Sequence, residues 1–453
     1  VDTLGLSERE YSEVQAEVVD LLTRLIRADT SNPPGNETAA AVVLREYFQE
    51  NGIAATLVGE TPERQNCLAR LPGTASGPKL LLMGHLDVVP AAAHDWTHPP
   101  FAGLVQDGYV WGRGAIDTKN QVAAQAVALA RLARQGHRLR GTLLYAATAD
   151  EEVGDHNGVR WLLEHHADLL RADYVINEGG MEMLRLGERR LYLPNVGEKG
   201  TAQFRITVHG RAGHGSVPLH HDNAVVAAAQ VVTGFANYQP DVPQNHAARP
   251  LVEAVVSDRR LRARLLAPES ARAALSDLAA RDEGMAEMIE PLLGLTFVPT
   301  IVRAGGPSVN VIPAHAEVIV DCRTLPSQTL EDVRREVEQA LEDLPSPWDL
   351  EFIDPIGGNE SPANTPLHDA LASTLHDLVP GAEVVATISG GYTDAQRLRA
   401  AFPGVVAYDF CPYVEEDGLT IAPRIHGVDE RISMRDLTLQ VVFSQRLAEK
   451  LLA

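Results

Sequence analysis

The sequence is short of cysteine, of positive charge and of long apolar runs. Its three cysteines, Cys67, Cys322 and Cys411, are odd in number and widely spaced. That excludes a disulfide framework and reads as reduced packing residues, the usage of a cytoplasmic protein. Lysine and arginine number 39 against 61 aspartate and glutamate, a formal net charge of −22. A chain without a basic face is unsuited to tracking phosphates, so nucleic acid is not an expected partner. No apolar run approaches the roughly 20 residues of a membrane span, so no membrane partner is expected either. Val1 to Glu10 has neither the basic nor the apolar stretch of a secretory signal, and the absence of an initial Met suits a trimmed or mature form. What is present is ordinary for a globular protein: 453 residues, 45% apolar and 22% charged. That is enough chain for two or three domains and a large core without staples.

Ser7 and Glu10 form a capping box ahead of Val14, Val18, Leu22 and Leu25, so the chain opens with an amphipathic helix. A second helix is expected over roughly 38–49. Beyond it, apolar runs of strand length (79–83, 142–147 and 174–176) alternate with helical patterns, including a long Ala/Val/Leu helix over about 120–134. Strands buried on both faces with helices between them indicate an α/β domain with a mixed, largely parallel sheet. Near Gly197 the texture changes. Phe204, Ile206 and Val208 alternate with polar residues, a helix starts near Asp222, and a strand at 317–322 leads to a helix from Thr329. This predicts a smaller α+β domain over 198–347, holding an Ala/Arg/Glu-rich helical insertion around 238–300. The catalytic domain is then expected from 1–197 and 348–453. In the second of these segments, helices are expected near Leu367 and Asp394 and from Ser433, with a strand at 383–387.

Three strand ends present groups that can hold a metal: Gly84-His85-Leu86-Asp87, Asp150-Glu151-Glu152 and Asn177-Glu178. Side chains alternate along an extended segment, so His85 and Asp87 share a face, and the Asp87 carboxylate can take one ring N–H while the other nitrogen faces a metal. In doubly wound sheets the carboxyl ends of the strands open on one crevice. A fourth element, Gly112-Arg113-Gly114-Ala115-Ile116-Asp117, sets a carboxylate ahead of the long helix. Taken singly, His85 reads as a hydrogen-bonded surface residue, Asp117 as a helix N-cap, 150–152 as a solvated loop and Gly112-x-Gly114 as a turn. Together they gather carboxylates with no compensating lysine, an arrangement that raises carboxylate pKa values unless cations are bound.

These strings also carry a resemblance. Gly84-His85-Leu86-Asp87-Val88-Val89-Pro90, Trp96, Pro99-Pro100-Phe101, Asp107-Gly108, Gly112 to Asp117 with Lys119, and Asp150 to Gly154 resemble a family of dinuclear zinc peptidases. That family includes aminoacylases, glutamate carboxypeptidases, acetylornithine deacetylases, succinyl-diaminopimelate desuccinylases and dipeptidases. The resemblance continues through Gly210 to Ser216, Asn310 to Pro313, Asp321 to Arg323, Gly390-Gly391-x-x-Asp394 and His426-Gly427-x-Asp429-Glu430, and so covers nearly the whole chain. It departs from the family's commonest pattern at Thr118, Asn120 and Tyr392, none of them an implied ligand.

The resemblance implies two Zn2+ per chain, with Co2+ or Mn2+ as possible substitutes. Asp117 would bridge the ions, His85 and Glu178 would complete one, and Glu152 and His426 the other. It implies Glu151 as general base, Asp87 as the partner of His85, and a metal-bridging hydroxide attacking an amide bond. The implied substrate is a dipeptide, peptide or N-acyl amino acid with a free carboxylate near that bond. His214 matches a histidine that reaches the tetrahedral oxygen from the partner subunit of a homodimer formed through the lid domain, with plain turn geometry as the other reading. Arg323, Asn310, Gly390 and Gly391 match positions near the substrate carboxylate, with a salt bridge to a neighbouring acid as the other reading of Arg323. Two further readings stay open: an N-carbamoyl or other non-peptide amidohydrolase of the same fold, and a catalytically silent metal-binding relative. His94, His98, His156, His165, His166, His220 and His221 receive no role.

Overall fold

The computed structural model of the chain describes residues 3–136, 139–154, 156–179, 183–217, 222–244, 246–306 and 308–453. His220 and His221 lie outside them. The chain divides into two compact units. The first is Val1–Val196, Ser361–Ala386 and Thr393–Ala453; the second is Gly197–Glu360 and Thr387–Tyr392. The second unit therefore extends past 347, because the strand Trp348–Phe352 pairs antiparallel with Phe204–His209 and completes the smaller sheet.

The first unit is α/β, a mixed sheet flanked by helices. The helix Glu8–Arg27 begins at the Ser7–Glu10 capping box and buries Val14, Val18, Leu21, Leu22 and Leu25. Its sheet runs in the order Ala55–Val58, Asn66–Leu71, Thr142–Thr148, Lys79–His85, Tyr174–Asn177, Val406–Asp409, before Asn195–Glu198 carries the chain out of the unit. The last four of those six are mutually parallel, the first two antiparallel additions. Leu80 to Met83 have no exposed surface, as expected of a strand covered on both faces. The helix Lys119–Arg134 is buried along almost its whole length. Register then does the positioning: His85 lies opposite Thr148 and Asn177 opposite Asp409, so the loops leaving these strands share one edge of the sheet. Gly84 lets the helix approach closely at that edge, since a Cβ there would lie 3.2 Å from both the Thr118 and Val122 side chains, which would have to give way.

In the second unit, Phe204, Ile206 and Val208 pack with Val318, Val320, Val231 and Val337 into one core between the sheet and the helices Ala224–Asn237 and Leu330–Ala340. The insertion forms the helices Arg249–Val255, Arg259–Leu265, Pro268–Ala279 and Glu283–Leu293. Its last residues belong instead to a strand, Thr296–Ala304, paired with His315–Thr324. Among the described residues no helix is long and apolar enough to cross a membrane.

The closing helix Met434–Leu451 starts at Ser433, whose hydroxyl bonds Asp436. Burial pushes the Asp436 carboxyl up from 3.8 to about 6, although the Val414 and Glu415 N–H groups donate to it. A carboxyl raised in the folded state contributes its stability in full below the unfolded pKa and loses it as pH rises through the folded value. Asp436→Asn removes the charge and keeps an acceptor, so it should gain on the parent by up to roughly 3 kcal/mol between about pH 4 and pH 7. Thermal melts of both proteins across that range check this; a difference independent of pH would refute it.

Candidate metal centre

The first unit brings together all the ligands implied by the sequence. His85 ends its strand, Glu151 and Glu152 follow Thr142–Thr148, Glu178 follows Tyr174–Asn177, and Asp117 precedes the helix Lys119–Arg134. His85 Nε2 stands 3.0 Å from Asp117 Oδ1 and 2.9 Å from Glu178 Oε2. His426 Nε2 stands 3.1 Å from Asp117 Oδ2 and 3.0 Å from Glu152 Oε2. Each imidazole thus faces two carboxylates, and Asp117 gives one oxygen to each group. Glu151 joins His85 and Glu178 in a set whose ligand atoms lie within 4.8 Å of one another. Asp117 is not the helix cap; Thr118 occupies that position.

This donor set fits divalent cations better than it fits hydrogen bonding alone. One ring nitrogen has a single proton or lone pair and can make one strong linear hydrogen bond, not two. A tetrahedral site with bonds of about 2.0–2.2 Å has ligand–ligand edges of roughly 3.3 Å or a little more, close to the separations found. Glu152 Oε1 is buried without a hydrogen-bond partner. Among the described residues, no lysine or arginine pairs with Asp117, Glu151, Glu152 or Glu178. The electrostatics state the same deficit. Burial, then the Glu178 charge, pushes Glu151 well above the usual carboxylate range. Burial also lifts Glu178 to about 7. Burial alone would lower His85, but Glu178 and Asp117 overcome it and raise the ring well above its ordinary value. Acceptance of the His426 N–H by the Asp117 and Glu152 carboxylates raises His426 to about 10. A cluster that draws protons onto its own bases is one short of positive charge.

The support behind these ligands is mostly new relative to the sequence reading. His85 Nδ1 bonds the Asp87 backbone carbonyl at 2.9 Å, while the Asp87 carboxylate is 3.6 Å away. The backbone fixes the tautomer that leaves Nε2 free. The Asp87 carboxylate instead accepts from the Glu151 and Glu152 amides, both at 3.1 Å, and from Asn32 Nδ2 at 2.9 Å. It therefore orients the segment carrying base and ligand. Asn32 also reaches Asp150, and Arg64 bridges Asp150 and the buried Glu37. Glu430, fully buried, accepts from the N–H groups of Gly114, Ile116 and Asp117 and pairs with Arg113 at 2.7 Å. Arg113 in turn donates to the carbonyls of His426 and Gly427. One ion pair holds the loops of both Asp117 and His426. Sequence reasoning quoted Glu430 only as the end of a motif and gave Arg113, Asn32 and Arg64 no task.

The remaining site residues lie in the second unit. His214 is exposed and paired with Val311 across a two-residue ribbon. Its Nδ1 accepts from the Ser216 amide at 3.2 Å and lies 2.8 Å from the Ser216 hydroxyl. An amide can only donate, so the ring's proton is assigned to Nε2, which makes that atom a donor. Arg323 Nε pairs with Asp321 at 3.0 Å, so the neighbouring acid is indeed engaged. The two Nη groups donate to nothing among the described residues. Asn310 accepts at its backbone carbonyl from Gly215 and bonds Ser308 through its side chain. The Gly391 N–H is taken by Ser389 Oγ at 3.0 Å, which leaves the Gly390 N–H as the donor that this pair can offer a ligand.

Two imidazoles sharing one carboxylate at the strand ends of an α/β sheet make a candidate dinuclear metal site. The chain belongs to peptidase family M20/M25/M40, whose family model matches residues 81–450. It is similar to a succinyl-diaminopimelate desuccinylase of Methylorubrum populi, 29% identical over 94% of this chain and 96% of that protein. It is also similar to an N-fatty-acyl-amino acid synthase/hydrolase, PM20D1, of Xenopus tropicalis, 28% identical over 82% of this chain and 72% of that one. The fold matches an M20 family metallo-carboxypeptidase of Sulfolobus solfataricus with a TM-score of 0.69, at 17% identity, over 98% of this chain and 99% of that one.

Breaking a buried ion pair by removing one partner costs about 3–5 kcal/mol. Glu430→Ala should lose that much in a denaturant titration and bind metal more weakly than the parent in a chelator competition. Parental metal affinity would show that Glu430 does not position Asp117.

Proposed function

We propose that the protein is a dinuclear metal-dependent hydrolase that cleaves an amide bond next to a free carboxylate, in a dipeptide, a peptide or an N-acyl amino acid. The observation that carries this reading is Asp117 placed between the His85–Glu178 and His426–Glu152 groups. The ligand set suits two Zn2+, with Co2+ or Mn2+ as alternatives. When bound, such ions polarise a carbonyl and lower the pKa of water to near 7. Glu151 takes the proton of the attacking water and returns it to the departing nitrogen. Asp87 fixes the Glu151 and Glu152 amides, which keeps the base and a ligand in register. His214, held by Ser216 with its proton on Nε2, is a donor for the developing oxyanion. Arg323, oriented through Nε by Asp321, keeps both Nη groups for a carboxylate; the Gly390 N–H and Asn310 accompany it, with Gly391, its own N–H held by Ser389, shaping the turn.

The first unit is the catalytic domain and the second the lid and dimerisation domain in this reading, working in the cytoplasm. A homodimer through the second unit is supported by the strand Thr296–Ala304. It exposes Val298, Ile301 and Val302 and pairs, among the described residues, on one side only. The relatives' names speak of succinyl-diaminopimelate and N-fatty-acyl amino acids, so both acyl types belong among the substrates to try.

The deciding assay strips the protein with a chelator and restores zinc, cobalt or manganese separately. It then screens dipeptides with N-acetyl, N-succinyl, long-chain N-acyl and N-carbamoyl amino acids. Amide hydrolysis that returns with metal supports the proposal; cleavage of carbamoyl substrates alone, or of nothing with two metals bound, rejects it. Glu151→Gln should lower kcat by at least 10²–10⁴ while retaining two metals per chain by elemental analysis. His214→Ala should lower kcat by about 10²–10³ with metal content unchanged. If His214 serves the partner's centre, mixing these two inactive variants regenerates activity through hybrid dimers. Continued inactivity after verified subunit exchange removes the shared-site part.

A further inference from the structure

Lys199 is buried to 1% exposure and has no carboxylate partner among the described residues. Its Nζ donates to the carbonyls of Pro291 at 2.8 Å and Gly294 at 2.7 Å. Those groups end the insertion helix Glu283–Leu293, where a cation is favoured by the helix dipole. A neutral cap would serve that end with less desolvation, because burying an ammonium is expensive. What sets this lysine apart is the company of the segments it joins.

Its backbone N–H donates to the Ser389 carbonyl at 3.0 Å, immediately before Gly390-Gly391. Pro291, whose carbonyl it binds, also packs on that loop, 3.5 Å from where a Gly390 Cβ would lie. Two residues after Lys199, Thr201 pairs with Arg323 on one register; two residues after Gly294, Thr296 pairs with the same Arg323. The ammonium therefore ties together the strand segments flanking Arg323 and the helix end that touches the glycine pair.

We infer that Lys199 is a positioning residue for the carboxylate grip, and that through it the end of the 238–300 insertion is part of the substrate-binding apparatus rather than surface decoration. This rests on the reading of Arg323 and Gly390 as that grip. The group recognised is the free carboxylate of the amino acid portion. On the same face of the helix as Pro291 lie Met288 and Glu287, three and four residues before it, so the side chain next to that carboxylate is the substrate feature this helix is placed to select.

The test is steady-state kinetics of Lys199→Met, Pro291→Ala and Arg323→Met in the full-length, metal-loaded protein. The substrates are the fastest compound of the screen and its C-terminal carboxamide. Lys199→Met should raise KM for the free acid by about tenfold or more, the scale of lost outer-sphere support, with kcat within threefold, metal content unchanged and the carboxamide little affected. Pro291→Ala should raise KM at least threefold and reorder preference among side chains. A KM within twofold of the parent for Lys199→Met, while Arg323→Met raises it, overturns the inference. If Arg323→Met also leaves KM unchanged, the carboxylate grip itself is wrong. Should Lys199→Met not fold, Pro291→Ala decides: an unchanged KM and unchanged preference refute the role of the insertion.

Discussion

Mutual repulsion among acidic side chains is the constraint around which the first unit is organised. Parallel pairing brings the ends of Lys79–His85, Thr142–Thr148 and Tyr174–Asn177 to one edge, and each end contributes carboxylates. Asp394 adds another, buried, accepting from Thr148 and pushed up to about 8 by burial and by Glu178. Nothing in such a cluster favours the folded state by itself. It persists because neighbouring groups absorb charge that does not face the centre: Arg64 takes Asp150 and Glu37, Arg113 takes Glu430, and amides take Asp87. The acids left over are those aimed at the two imidazoles.

Strain follows the same pattern. Asp150 and His426 both adopt left-handed backbone conformations, with φ of 63° and 57°, which non-glycine residues seldom accept. Each is held from outside its own loop, Asp150 by Asn32 and Arg64, His426 through its carbonyl by Arg113. Such strain survives only where surrounding contacts over-determine it. A similar economy governs buried lysines. Lys119 donates to Leu25 and Ala28 carbonyls at the end of the first helix, as Lys199 does at the end of the insertion. Both use a buried cation to stop a helix where the next segment must be placed accurately.

Much of the site was legible because its ligands sit in short strings at the ends of apolar runs, where period and strand direction already define an edge. His85, Glu151, Glu152 and Glu178 stand out in that way and Asp117 by its place ahead of the long helix, whereas their roles, and His426 altogether, came from the family resemblance. The role of Asp87 could not, since an i,i+2 pattern does not distinguish a carboxylate from its own backbone carbonyl as the histidine's partner. Asn32, Glu37 and Arg64 are polar residues in unremarkable contexts, and their network exists only after distant segments meet. The strands Ala55–Val58 and Val406–Asp409 are only four residues long, while Trp348–Phe352 alternates apolar with acidic residues and was legible as a strand but not as part of the smaller sheet. Thr296–Ala304 is apolar but largely exposed and interrupted by Pro299, so its pairing with His315–Thr324 was not read and its first residues were counted with the helical insertion.

The discontinuity of the first unit has a consequence for biosynthesis. Val406–Asp409 pairs with Tyr174–Asn177, and His426 comes later still, so neither the sheet nor the ligand set can be finished until the chain has been made past residue 426. Most of the second unit is one uninterrupted stretch, Gly197–Glu360, and can fold first, as contiguous domains do during translation. The strands of residues 55–177 must wait through that interval without Val406–Asp409, the neighbour that completes their parallel run.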